Sequence, residues 1–282
     1  MIRIYPLIFI LLWSSAFITT KPIVDNSDPF AALAFRFFFV ALGFYLFSFY
    51  LNQSLITNKR KIAESVLSGV LFHGFYLGGV FYSISIGMPV GIAALIVTLQ
   101  PILTNILSGP ILDEKITTQQ WIGVLLGFTG ASLVLGLDIG SGIPLLGLIA
   151  TIIALLSITI STIWQKKISK NLPLSVSNFY QAFGGCLFHV LIVTFFAEPY
   201  INFNKVFIIA MSHQVLLVSF GAFTILMLLI KKNSASKTVS IFFLIPSTSA
   251  LMAWFFLNEK LTNLDVVGFI VTSVGVYIAT RE

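Results

Sequence analysis

Apolar residues run through this chain in long blocks, each closed by a short polar or Gly/Pro interval. A helix that crosses the hydrocarbon core of a bilayer needs roughly 20 predominantly apolar residues. Ten blocks meet that requirement, at about 4–20, 30–51, 64–86, 90–112, 119–137, 143–164, 174–197, 206–230, 236–257 and 262–280. The punctuation between the first six is Lys21 to Pro29, Asn52 to Ala63, Gly87-Met88-Pro89, Asp113 to Thr118 and Asp138 to Gly142. No interval is long enough for a soluble domain. The pattern predicts an all-α integral membrane protein of ten transmembrane helices. Arg3, the first apolar run and Ser14-Ser15-Ala16 have the outline of a secretory signal. Cleavage there would leave nine spans and break the internal repeat described below, so the block is read as the first helix.

Composition agrees with a chain dissolved in lipid. Hydrophobic residues make up 57% and charged residues 9% of the 282 positions, with a mean hydropathy of +1.01. A soluble globule carries about a quarter charged residues, so a soluble enzyme and a disordered tail are both excluded. The net charge of +6 does not point to nucleic acid, because no base run is longer than Lys59-Arg60-Lys61. The bases instead report orientation. With a cytoplasmic amino terminus, the inner intervals hold Arg3, Lys59, Arg60, Lys61, Lys115, Lys166, Lys167, Lys170, Lys231, Lys232, Lys237 and Arg281. The outer intervals hold only Lys21, Lys205 and Lys260. That asymmetry predicts both termini in the cytoplasm of a bacterial inner membrane. The single cysteine, Cys186, lies inside an apolar block and is read as packing.

The chain also repeats itself. At a constant offset of 145 residues, Pro101 matches Pro246, Leu112 matches Leu257, and Glu114-Lys115 matches Glu259-Lys260. Thr117, Gly123 and Gly130 match Thr262, Gly268 and Gly275 without a gap. Similarity among apolar helices explains Leu with Leu, not Glu-Lys with Glu-Lys. The expected organisation is two five-helix halves, 1–138 and 139–282. Five is odd, so the second half enters the membrane inverted. Inverted repeats are a construction plan of secondary transporters, whose substrate site lies at the midplane between the halves.

Trp13-Ser14-Ser15-Ala16-Phe17 with Lys21-Pro22 closing the first block, and Asp28-Pro29-Phe30 followed by Arg36, resemble the opening of the drug/metabolite transporter superfamily, EamA-type branch. Ala93-Ala94-Leu95 through Gln100-Pro101 to Leu112-Asp113-Glu114-Lys115 resembles its fourth helix. Pro246 through Asn258-Glu259-Lys260-Leu261-Thr262 to Gly268 forms the second copy. The Trp13-Ser14-Ser15 motif is poorly kept at its counterpart, Thr159 to Trp164. The resemblance covers essentially the whole chain. It implies a ten-helix bundle of two inverted repeats that exports amino acids or other small metabolites. Its implied partners are a small-molecule metabolite and membrane lipid, with no cofactor and no metal. The competing readings are a membrane-embedded enzyme and a channel or assembly subunit. No Gly-x-Ser-x-Gly elbow frames any serine, no paired acidic cluster is present to hold magnesium, and no ring of charged ligands suggests a channel.

Candidate chemistry is sparse. All ten acids fall in intervals or near span ends, whereas a proton-coupled pump commonly keeps a carboxylate within the membrane. Passive exchange or a histidine relay is left open. Arg36 is the one base inside a span. A guanidinium can grip a substrate carboxylate with two parallel bonds; the alternatives are outward snorkelling or a pair with Asp28. His73 and His189 sit inside the third and seventh blocks, either to relay protons or bind substrate, or as cross-helix hydrogen bonds. Pro101 and Pro246 fall mid-helix as candidate hinges, each removing the donor to the carbonyl four residues earlier, Val97 and Phe242. Gln100 and Asn105 flank the first kink; Ser247 follows the second. Trp13, Tyr76, Tyr82, Trp164, Tyr180 and Trp254 are the aromatic candidates for a cavity wall, joined by Ser14. Glu114 and Glu259 are read as capping or gate-bracing groups, and Thr117 and Thr262 as starts of the helices that follow.

Overall fold

The computed structural model describes residues 4–56, 58–135, 143–168, 171–196, 198–257 and 262–281. Arg3, Asp138, Lys170, Glu282 and the Asn258-Glu259-Lys260-Leu261 segment of the second copy lie outside the described residues. In chain order the helices are α1 (Tyr5–Val24), α2 (Pro29–Tyr50), α3 (Lys59–Ser85), α4 (Val90–Val97), α5 (Gln100–Leu112), α6 (Thr118–Leu135), α7 (Leu145–Ile168), α8 (Leu174–Phe196), α9 (Lys205–Lys232), α10 (Ala235–Ser240), α11 (Leu244–Leu257) and α12 (Asn263–Thr280). Among the described residues nine spans are long and apolar enough to cross a membrane, the pair α4–α5 forming one and α10 running into α11 another. The block expected at 119–137 is α6, which opens on the polar Thr118-Gln119-Gln120 and is not among the nine. With helices throughout the described residues and apolar spans along its length, the chain is a multi-pass helical membrane protein.

Local chemistry sets the helix ends. The Asp28 carboxylate accepts the Ala31 N–H at 2.7 Å to start α2, with Pro29 in the first turn, where a missing N–H costs nothing. Thr117 accepts the Gln120 N–H at 3.2 Å while Gln120 accepts the Thr117 N–H at 2.8 Å. Thr262 and Asp265 make the same reciprocal box at α12, at the 145-residue offset. Both threonines therefore start the helices expected of them.

Two irregularities were not legible as such. The sequence 64–86 read as an unbroken helix, but α3 carries a π-type stretch at Val70–Tyr76, and α9 carries another at Gln214–Ala222. Adding the offset of 145 to the first gives 215–221, inside the second. Such wide turns insert one residue into the α ladder and rotate the side chains beyond it. The prolines, expected mid-helix, sit instead in the first turns of new helices: α4 stops at Thr98-Leu99 and α5 starts at Gln100-Pro101, while a tight 3₁₀ turn at Ile241–Phe243 precedes α11, whose first turn holds Pro246. A residue without an N–H is tolerated there and not in a helix interior.

The surface is apolar, and polar side chains are buried within an otherwise apolar core. Phe38, Phe39, Leu46, Phe47, Ile152 and Ile270 are exposed, while Ser14, Arg36, His73, Gln100, Asn105 and His189 are buried. Exposed apolar surface on that scale marks contact with lipid. A close backbone crossing joins α6 to α12. A Cβ on Gly123 would sit 2.4 Å from Ala279 N and 2.6 Å from the Gly275 carbonyl. One on Gly268 would sit 2.7 Å from the Gly130 carbonyl, and one on Gly275 2.4 Å from Gly127 N. Only glycine permits backbones to approach so closely.

Candidate substrate cavity

Two adjoining chambers occupy the bundle between α1, α3, α9 and the proline-broken spans. The wide one has about 600 Å³ of free room and is bounded by Lys21 and Pro22 of α1, Val90, Ala94 and Val97 of α4, Val134 of α6, and Phe242, Pro246 and Ser249. The tight one has about 40 Å³ and is lined by Arg36, His73, Phe223, Gln214 and Ser219. Trp13, Phe17 and Tyr76 line both and form the partition. Helical spacing explains the walls. Trp13, Phe17 and Thr20 fall on one face of α1, and His73, Tyr76 and Val80 on one face of α3. Phe9, Trp13 and Phe242 pack with ring centroids 5.2 to 6.0 Å apart, and Phe72 meets Trp13 edge-on at 6.1 Å. The wide chamber's floor is thus aromatic.

Arg36 is the chemical centre. It is 3% exposed, donates from Nε to Ser219 Oγ at 2.9 Å, and lies over the Phe37 ring at 5.3 Å. It neither snorkels nor pairs with Asp28, whose carboxylate caps α2. Among the described residues the ion pairs are Lys21–Asp25 and Arg60–Glu64, both surface i,i+4 pairs. A buried guanidinium without a carboxylate in a membrane bundle costs several kcal/mol unless water or an anion meets it. Its Nε is committed to α9, which fixes the plane of the guanidinium. No acidic residue is found in the described walls of either chamber.

The other sequence candidates divide by position. Trp13, Arg36, His73, Tyr76 and Pro246 line the chambers. Ser14 lies behind the wall, donating to the Ile245 carbonyl at 3.3 Å, while Ser249 donates to the Ser14 carbonyl at 3.1 Å, zipping α1 to α11. Gln100 bridges to Thr162 at 3.0 Å, and Asn105 accepts from Ser236. Pro101 lies at the start of α5 and does not border either chamber. Ser247 borders a separate small cleft with Asp265 and Phe269. Tyr82 stacks on Phe30 at 5.9 Å, Tyr180 donates to the Leu55 carbonyl at 2.7 Å, and Trp164 has a buried, unpartnered indole N–H. Trp254 is half exposed on the outer face of α11. His189 is fully buried and donates from Nε2 to the His73 carbonyl at 2.9 Å, a cross-helix bond between α8 and α3. His213 meets Ser15 Oγ at 3.0 Å between α9 and α1.

Ser219, Gln214, Phe17 and Thr20 were missed. Ser219 and Gln214 belong to the second π-type stretch, which no pattern in the residues announced. Phe17 and Thr20 carried a signal in their i+4 and i+7 spacing from Trp13.

A lipid-facing bundle around a mostly apolar cavity with one buried cation, without a metal cluster among the described residues, is the build of a membrane transporter. The chain belongs to the EamA-like transporter family, whose pattern matches residues 3–136 and again residues 145–281. It is 28% identical over 226 residues to an uncharacterized transporter, YvbV, of Bacillus subtilis, covering 76% of this chain and 69% of that one. It is 21% identical to a protein of Escherichia coli described as a probable amino-acid metabolite efflux pump, covering 96% of this chain and 92% of that one. A crystal structure of a protein 18% identical in sequence superposes with a TM-score of 0.83 over 99% of this chain and 96% of that one, a likeness of fold alone.

Proposed function

We propose that the chain is a secondary transporter that exports a small carboxylate-bearing metabolite, an amino acid or related compound, across the bacterial inner membrane by alternating access. The observation that carries this reading is Arg36, a buried cation with no carboxylate partner among the described residues, lining the tight chamber beyond the Trp13–Tyr76 partition. A carboxylate would use the guanidinium edge left over once Nε is bonded to Ser219, exchanging hydration for charge-assisted bonds. About 40 Å³ suits such a head group, and about 600 Å³ of aromatic-floored space accommodates the remainder. Two relatives described as probable amino-acid metabolite efflux pumps support the substrate class.

Alternating access is supported by the sequence repeat at offset 145 and the twofold match of the family pattern. The distribution of bases supports a cytoplasmic Glu114 end and a wide chamber open to the outside. The test is counterflow in proteoliposomes without a pH gradient, over a panel of labelled amino acids and other carboxylates, with Arg36→Ala beside the native chain. Uptake of one carboxylate that Arg36→Ala abolishes, in protein that remains folded, is the expected result. Uptake indifferent to Arg36 would remove the carboxylate fork, and preference for a solute without an acidic group would remove the substrate class.

A further inference from the structure

At the end of the bundle opposite Lys21 and Val90, the turn between α9 and α10 is held from two sides. Helix α5 ends with Asp113 in the left-handed region (φ 56°), its N–H bonded to the Gly109 carbonyl at 3.0 Å and the Glu114 N–H to the Ser108 carbonyl at 3.4 Å. This helix-ending geometry directs the Glu114 carboxylate onto the start of α10. Oε1 accepts the Ala235 N–H at 2.8 Å, and Oε2 accepts the Ser236 N–H at 3.3 Å. From the last turn of α7, Lys166 donates to the Ile230 carbonyl at 3.0 Å and to the Asn233 carbonyl. A carboxylate on a helix start and an ammonium on a helix end each match the sign of the helix dipole.

A second observation lies between this clasp and the chambers. Along one side of α5, Gln100 Oε1, Thr104 Oγ1, Asn105 Nδ2 and Ser108 Oγ are buried polar atoms without a partner. The four residues are at most 2% exposed, and they follow helical spacing from mid-bundle toward Glu114. Each unpaired buried polar atom of this kind destabilises a fold, and four in one stripe are uncommon. An apolar stripe would pack the same space at less cost.

We infer that this face of α5 is the wall of the substrate's path to the Glu114 side, shut in this conformation by Glu114 and Lys166 clasping the α9–α10 turn. When the turn swings away, water and the polar parts of the substrate satisfy the stripe. The inference rests on the alternating-access reading and assigns it two gate-positioning residues and a route.

The test uses single-cysteine reporters in the full chain with Cys186→Ala. Ser108→Cys reports the α5 path, and Ala94→Cys reports the wide chamber. Labelling is by a membrane-impermeant thiosulfonate applied to the Glu114 side of vesicles. Glu114→Gln keeps the side chain's shape and loses its charge. It is expected to raise Ser108→Cys labelling about tenfold, the effect of shifting the two-state balance by one decade, and to lower labelling of Ala94→Cys from the opposite side. Lys166→Met, acting on the other flank of the turn, is expected to move both reporters the same way. A merely structural role would reduce thermal stability and leave the ratio of the reporters alone. Ser108→Cys labelled during substrate exchange yet no faster in either folded variant would overturn the clasp and leave alternating access standing. Ser108→Cys never labelled, even while exchange proceeds, would overturn the α5 path and leave alternating access standing by another route, whereas absence of exchange in the native chain would remove the alternating-access reading itself.

Discussion

Arg36 on α2 reaches across to Ser219 on α9, Nε to Oγ at 2.9 Å, and that single neutral acceptor is its one hydrogen-bond partner among the described residues. Packing alone would not select this arrangement. A side chain retained for stability would be expected to bring a counter-charge, because an unpaired buried ion destabilises the fold, whereas an apolar replacement of similar volume often stabilises it by about 1–4 kcal/mol. Arg36→Met should therefore do two opposite things. Exchange of the carboxylate substrate should fall by about a hundredfold, equivalent to roughly 3 kcal/mol of charge-assisted hydrogen bonding. Thermal unfolding in detergent should move up by a few degrees, about 2–4 °C per kcal/mol for a chain of this size. A lowered melting temperature would show that the guanidinium is a structural strut.

Ser219 gives a graded version of the same experiment. Ser219→Ala removes the acceptor that orients the guanidinium without removing the charge. Binding should weaken by about fivefold, the worth of one neutral hydrogen bond near 1 kcal/mol, with the maximal exchange rate nearly unchanged. Concentration dependence of counterflow separates the two quantities. A loss as large as that of Arg36→Met would mean that Ser219 itself contacts substrate.

The aromatic candidates should separate by position. Trp13 and Tyr76 form the partition between chambers, whereas Tyr180 bonds Leu55 at the periphery and Trp254 is half exposed. Trp13→Ala should raise the half-saturation concentration at least tenfold, since a buried aromatic contributes about 1.5–3 kcal/mol of contact. Trp254→Ala and Tyr180→Phe should leave it within about twofold, as substitutions away from the site usually cost less than 0.5 kcal/mol. Comparable losses in all three would displace the cavity from the centre of the bundle.

That division also shows what the residues could and could not disclose. Hydropathy blocks placed the apolar spans, because lipid imposes a length on every crossing helix. Arg36 stood out because a charge inside a span has few cheap explanations. Aromatic identity told much less. Trp13 and Trp254 are both tryptophans within apolar blocks, and only helical phase relative to neighbouring helices turns one inward and the other toward lipid. Ser219 was hidden for a related reason. The wide turn at Gln214–Ala222 shifts the phase of α9 locally, and the same deviation at Val70–Tyr76 leaves no trace in residue type. The contact at Glu114 was half legible: its place at a helix end gave a capping or gate-bracing reading, but the backbone it accepts from, at Ala235 and Ser236, lies 121 and 122 residues away.

The glycine crossing of α6 and α12 allows a test of packing independent of substrate. Gly123 faces the Gly275 carbonyl and Gly130 faces the Gly268 carbonyl, so residues matched by the 145-residue offset meet reciprocally, the pattern a twofold relation produces. The neighbours that a Cβ would strike are backbone atoms, which cannot rotate away. Gly123→Ala and Gly275→Ala should each destabilise by about 1–3 kcal/mol, the usual cost of forcing a methyl group into a filled interface. Gly109→Ala is the control. Its Cβ would meet nothing closer than the Glu114 carbonyl at 3.7 Å, and because Pro110 follows it the usual gain in helix propensity is not expected, so its change should be small beside those of the interface variants. Detergent-solubilised thermal unfolding of the three variants gives the comparison. If Gly123→Ala and Gly275→Ala melt with the native protein, as Gly109→Ala nearly should, the close approach of α6 and α12 is wrong. If the two interface variants fall together, and the double variant falls by less than their sum, the two glycines share one contact.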